Sequence, residues 1–138
     1  MSIRASLIKV YENDKGPESF RNCEDAVKRY FNTTIRKLQY CRKEGIAEGD
    51  YKEADNYFDY SENLYSEDNA IIMTRVPRDQ VEFAVEYWKT LDATAPIIKS
   101  DWNENDVYTA GECITFFDYC LKNVQKINEY DYIYLMWS

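Results

Sequence analysis

No histidine occurs in the 138 residues of this chain. Without an imidazole there is no Ser–His or Cys–His nucleophile pair, and no side chain that titrates unaided near neutral pH. The commonest ligand of transition metals is missing with it. Glycine occurs only at positions 16, 45, 49 and 111, too dispersed to build a phosphate-cradling loop. The four cysteines, Cys23, Cys41, Cys113 and Cys120, form no Cys-x-x-Cys pair and no zinc spacing. They read as small core hydrophobes kept reduced in a cytoplasmic protein. Carboxylates are the reactive groups that remain. A hydrolase holding a metal with Asp and Glu alone is the one enzymatic alternative, and the composition favours a non-enzymatic protein without a cofactor.

One carboxylate pattern has metal-like spacing. Asp101, Asn103 and Asn105 fall two residues apart, and Thr109 and Glu112 occupy the ninth and twelfth places counted from Asp101. Oxygen ligands two apart converge on a hard cation, and a closing Glu binds it through both oxygens, so the stretch is similar to the calcium loop of the EF-hand family. The resemblance covers twelve residues. It departs from the family at Asp106, where the sharp turn has glycine, at Tyr108, where an aliphatic residue is usual, and at Pro96, which spoils a leading helix. It implies a calcium site at Asp101, Asn103, Asn105 and Glu112. Thr109-x-x-Glu112 is also a capping box opening a helix, and the capped loop is our expectation, with no metal.

The densest carboxylates lie elsewhere. Glu44 to Asp68 carries nine acids against Lys52 alone, with four tyrosines and Phe58 among them, a net −8 that equals the charge of the whole chain. Arg21 to Lys43 carries seven cations and two acids. Charge segregated in this way sets long-range attraction and orientation. An acidic balance disfavours direct binding to nucleic acid or anionic membrane, and no apolar run approaches a membrane span or a convincing signal peptide. Thirteen tyrosines suit half-buried positions in cores and interfaces alike.

Positioning these groups falls to an α+β fold, a single domain over 1–138 with a mixed sheet of three to four strands and three to four helices. Ser6 to Glu12 reads as a strand. A helix follows, capped by Asn22 and stopped at Gly45, with Val27, Tyr30, Phe31, Ile35, Leu38 and Cys41 as its apolar stripe. The spacing of Tyr51, Ala54, Tyr57, Phe58, Ser61, Leu64 and Tyr65 predicts an amphipathic acidic helix, a long acidic loop being the alternative. Ala70 to Val76 is a strand, and Pro77 opens a helix striped by Val81, Ala84, Val85, Trp88 and Leu91. Ile97 to Lys99 is a short strand. After the capping box a helix carries Ile114, Phe117, Cys120, Leu121, Val124 and Ile127. Tyr130 to Trp137, apolar on both faces, closes the chain as an internal strand.

The expected function is binding. Glu53, Asp55, Asp59, Glu62, Glu67 and Asp68 would supply charge, and Tyr57, Tyr60 and Tyr65 apolar anchors, for a basic protein partner such as a nucleic-acid-handling enzyme. In size and composition alone this is similar to phage anti-defence inhibitors, anti-CRISPR proteins among them, and to toxin-immunity proteins. A small-ligand sequestering protein is a further alternative. The basic 21–43 face offers self-association with a second copy, or pairing with the acidic segment of its own chain.

Overall fold

A computed structural model describes residues 5–7, 23–52, 61–65, 70–123 and 132–137. In chain order the elements are β1 (Ala5–Leu7), a long helix made of α1 (Glu24–Tyr30), a π-helical turn (Phe31–Ile35) and α2 (Arg36–Glu44), a 3₁₀ turn (Glu48–Asp50), β2 (Ser61–Tyr65), β3 (Ala70–Pro77), α3 (Arg78–Lys89), β4 (Pro96–Lys99), β5 (Val107–Thr109), α4 (Ala110–Asn123) and β6 (Tyr132–Trp137). The fold is α+β, as the mixture of periodicities implies.

Four strands form one sheet in the order β1-β6-β3-β2, and β4 and β5 form a separate hairpin. The expected sheet was mixed, whereas among the described residues all the pairings are antiparallel. β6 lies between β1 and β3, the internal place that its two-sided apolar sequence requires. Thr74 faces Leu135 and Val76 faces Ile133 across the β3–β6 ladder, and all four are buried. Residues two apart share a sheet face, so these positions mark the face that the helices cover.

The long helix starts one residue after Cys23 and ends at Gly45, whose φ of 66° gives the left-handed stop that glycine adopts without a Cβ penalty. Cys23, Val27, Phe31 and Ile35 are all fully buried, although a four-residue repeat drifts by roughly 40° per step on an α-helix. The π-helical turn at Phe31–Ile35 winds more slowly, which returns Ile35 to the line of Phe31. Beside it, the Thr33 hydroxyl donates to the Arg29 carbonyl at 2.8 Å, a local bond that competes with regular helix.

α3 buries Val81, Ala84, Val85 and Trp88 of the predicted stripe, while Leu91 lies beyond its end and is half-buried. In α4, Cys113, Phe116, Phe117 and Cys120 are buried. Rings from three helices meet in the core. Trp88 stacks on Tyr30 at 6.1 Å, and Phe117 lies 5.3 Å from Phe31 and 5.0 Å from Phe116. All four cysteines are buried, and none is in a disulfide. Burial pushes the Cys23 thiol up to about 12 and raises those of Cys113 and Cys120, so they pack as neutral hydrophobes rather than reactive thiolates.

Over its described residues the acidic segment differs from the helix its spacing suggests. Tyr51 and Lys52 follow the 3₁₀ turn outside any helix, residues 53–60 lie outside the described residues, and Ser61–Tyr65 form β2, paired with β3 from Ser61↔Thr74 to Tyr65↔Ala70. Ala70–Pro77 presents two ladder edges, and local helical spacing in 51–65 is a weaker determinant than filling one of them. Among the described residues no helix is long and apolar enough to cross a membrane.

The capping box is formed as predicted. Glu112 Oε1 accepts from the Thr109 N–H and hydroxyl, each at 3.2 Å, and the Glu112 N–H donates to Thr109 Oγ1 at 3.3 Å. Thr109→Ala is therefore expected to cost about 1 kcal/mol, read as a lower urea midpoint at unchanged slope. An unchanged midpoint would show that α4 starts without this cap.

Candidate functional site

The partner-facing residues inferred from sequence divide into two groups. Glu53, Asp55, Tyr57, Asp59, Tyr60, Glu67 and Asp68 lie outside the described residues. Glu62 and Tyr65 are in β2, opposite Met73 and Ala70, on the strand at one end of the sheet order. The other described part of the acidic segment, 44–52, builds a surface at the end of the long helix.

Its geometry follows from the Gly45 stop. The Gly45 and Ile46 N–H groups both donate to the Cys41 carbonyl, the latter at 3.0 Å, and the chain folds back into the 3₁₀ turn. There Asp50 N–H bonds the Ala47 carbonyl at 3.0 Å, and Tyr51 N–H the Glu48 carbonyl at 3.2 Å. This return brings Tyr51 edge-on to Tyr40, centroids 5.6 Å apart and planes at 72°. Lys37 Nζ lies 6.0 Å from the centre of the Tyr51 ring. Tyr40 is 48% exposed and Ile46 37%. Glu44, Glu48 and Asp50 around them are exposed too. Arg42, Lys43 and Lys52 are exposed beside them, so the rings sit among charges of both signs, with the rings offering contact area and the charges orientation.

Tyr40 and Ile46 were not among the residues singled out from sequence. Tyr40 precedes the buried Cys41 by one position, which puts it off the apolar stripe, and that offset was legible. Ile46 depended on the path of the chain after Gly45, which was not.

α2 is held in place by α3. Gln39 Nε2 donates to Asp79 Oδ2 at 3.3 Å, and the Arg42 guanidinium lies 4.7 Å from the Phe83 ring centre. Cations of the basic segment also meet acids at the other end of the helix, Lys28 with Asp25 at 4.0 Å and Arg29 with Asp101 at 3.7 Å.

The calcium-like stretch spans the β4–β5 hairpin loop and the start of α4. Asn103 Oδ1 accepts the Asn105 N–H at 3.0 Å, and Glu112 is engaged with Thr109. Asp101 turns toward the long helix, where its Oδ2 accepts the Asp25 N–H at 3.1 Å. The expected cap Asn22 lies outside the described residues, the N-cap position belongs to Cys23, and no side chain there caps the helix. Asp101, 76 residues away in sequence, takes over one of the orphan donors. Among the described residues, the carboxylates that converge are Glu24, Asp25 and Asp101. Desolvation raises the carboxyl groups of Glu24 and Asp101 above their ordinary range, opposed by backbone hydrogen bonds.

A groove of about 230 Å³ lies alongside, lined by Arg29, Tyr30, Thr33, Thr34 and Lys99 among others. It falls below the roughly 300–1,000 Å³ of typical small-molecule sites. No protein-family model matches the chain, and neither curated proteins nor solved structures give a match.

Proposed function

We propose that the protein acts by binding, as an acidic neutraliser of a basic protein partner in the cytoplasm. A nuclease or another nucleic-acid-handling enzyme has the surface such a protein would cover. The observation that supports this is exposed Tyr40, packed edge-on against half-buried Tyr51, together with exposed Ile46, flanked by exposed Glu44, Glu48 and Asp50 where the −8 segment begins. Carboxylates spaced along a face stand in for phosphates in a basic groove, and the rings beside them supply desolvated anchors.

The test uses the full chain as bait in lysate of its source, with quantitative mass spectrometry of the retained proteins. Wild type is expected to retain a basic protein. Tyr40→Ala with Ile46→Ser, and separately Glu44→Lys with Glu48→Lys, are expected to weaken that complex by roughly 10–100-fold in titration calorimetry. Reversal of Asp55, Asp59 and Glu62 to Lys extends the test into the rest of the segment. Equal retention by all three variants, with unchanged melting, would exclude this surface.

A further inference from the structure

We propose that Glu24, Asp25 and Asp101 form a site for a hard divalent cation, calcium in the first instance, that clamps the β4–β5 loop to the start of the long helix. One carboxylate oxygen from each residue lies within 4.8 Å of the others. Oxygens bound to one calcium ion at roughly 2.3–2.6 Å stand no farther apart than about 5 Å, so the three meet that condition without rearrangement of the backbone.

An acidic cluster carries little by itself, and Glu24 supplies the independent observation. Its side chain is buried, while the residue as a whole stays partly exposed. Its Oε2 has neither solvent contact nor a hydrogen-bond partner. A carboxylate oxygen taken out of water and left unpartnered costs free energy, and Asp101 and Asp25 add repulsion. The nearby cations do not answer it. Lys28 reaches Asp25 only at 4.0 Å, and Arg29 reaches Asp101 at 3.7 Å with its side chain 68% exposed. A metal ion between the three carboxylates gives Glu24 its missing partner and cancels the repulsion.

The donors decide the class of metal. Three carboxylates and no imidazole select a hard ion over a thiophilic one. Asp25 is 67% exposed at its side chain, which leaves open positions for water. The positive end of the helix dipole opposes a cation here, so an affinity of roughly 10⁻⁴–10⁻³ M is expected, at the weak end of protein calcium sites. This set shares Asp101 with the EF-hand-like spacing but uses none of Asn103, Asn105 and Glu112. The helix end that bears Tyr40 is roughly 30 Å away, so this site is independent of the partner surface.

The test is a titration of chelator-treated full-length protein with calcium chloride, read by calorimetry and by melting. One saturable site is expected, with Tm raised by roughly 5–10 °C at a hundredfold excess over Kd. Terbium serves as a direct probe, because Trp102, 64% exposed, adjoins Asp101 in sequence and sensitises lanthanide emission that calcium then displaces. Glu24→Gln removes a buried charge and is expected to melt no lower than wild type without metal, yet to bind calcium at least about tenfold more weakly. Asp101→Asn is expected to lose the terbium signal. Absence of a calcium response, or equal calcium affinity in wild type and Glu24→Gln, overturns the site. Tighter binding of magnesium than of calcium overturns the choice of ion.

Discussion

Trp88→Ala is expected to lose about 3–5 kcal/mol of stability, the range for an aromatic ring deleted from a core. Trp88 has no exposed surface. Its ring lies 6.1 Å from Tyr30, 6.3 Å from Phe31 and 5.4 Å from Phe117, so one truncation opens the contact between the long helix, α3 and α4. Its indole N–H donates to Tyr30 Oη at 2.9 Å. The Tyr30 hydroxyl is shielded enough that burial pushes it up to about 12, and losing its donor leaves it partly unanswered. Domains of this size hold roughly 5–15 kcal/mol in total, so the variant should sit near the edge of unfolding. Urea denaturation measures the loss. Trp88→Phe, which keeps a ring and gives up the N–H, is expected to cost less than half as much. A loss under 1 kcal/mol for Trp88→Ala would contradict the three-helix core. α2 presents Tyr40 from the same continuous helix, so under the proposed function the loss would extend to binding.

Asn32→Leu is expected to act in the opposite direction and stabilise the protein by about 1–3 kcal/mol. Asn32 is 7% exposed and lies in the π-helical turn. Neither Nδ2 nor Oδ1 finds a hydrogen-bond partner. Leucine branches at the same carbon, is somewhat larger, and carries no polar atoms to desolvate. The change should appear as a higher urea midpoint at unchanged slope. Destabilisation would mean that the amide is satisfied in solution. Stabilisation with loss of the partner complex would instead mark Asn32 as a polar group retained for function at a cost in stability.

Much of the scaffold was legible along the chain because its determinants are local. Thr109 and Glu112 are three residues apart and cap α4 through their own atoms. Gly45 stops the long helix because its φ of 66° is a property of one residue. Val81, Ala84, Val85 and Trp88 mark α3 by their period alone, and buried Cys113 and Cys120 behave as hydrophobes because their surroundings are apolar. Segregated charge and the lack of histidine, which together direct the functional reading toward a surface, are likewise properties of the sequence.

What tertiary structure decided lies where one segment answers another. Ser61–Tyr65 became β2 because β3 offers it a ladder, whereas spacing within 51–65 pointed to a helix. The cap of the long helix comes from Asp101, 76 residues away, and no rule acting on the local sequence could have named it. The same contact moved the metal-like chemistry. Spacing grouped Asp101 with Asn103, Asn105 and Glu112, while folding grouped it with Glu24 and Asp25. At the other end of the helix, Tyr40 and Tyr51 are eleven positions apart and meet only because the chain reverses after Gly45. Sequence thus determined which groups this protein has available and which of its helices would form. Only the tertiary structure decided which carboxylates stand together and which rings face outward, because proximity across the chain depends on how separate elements pack.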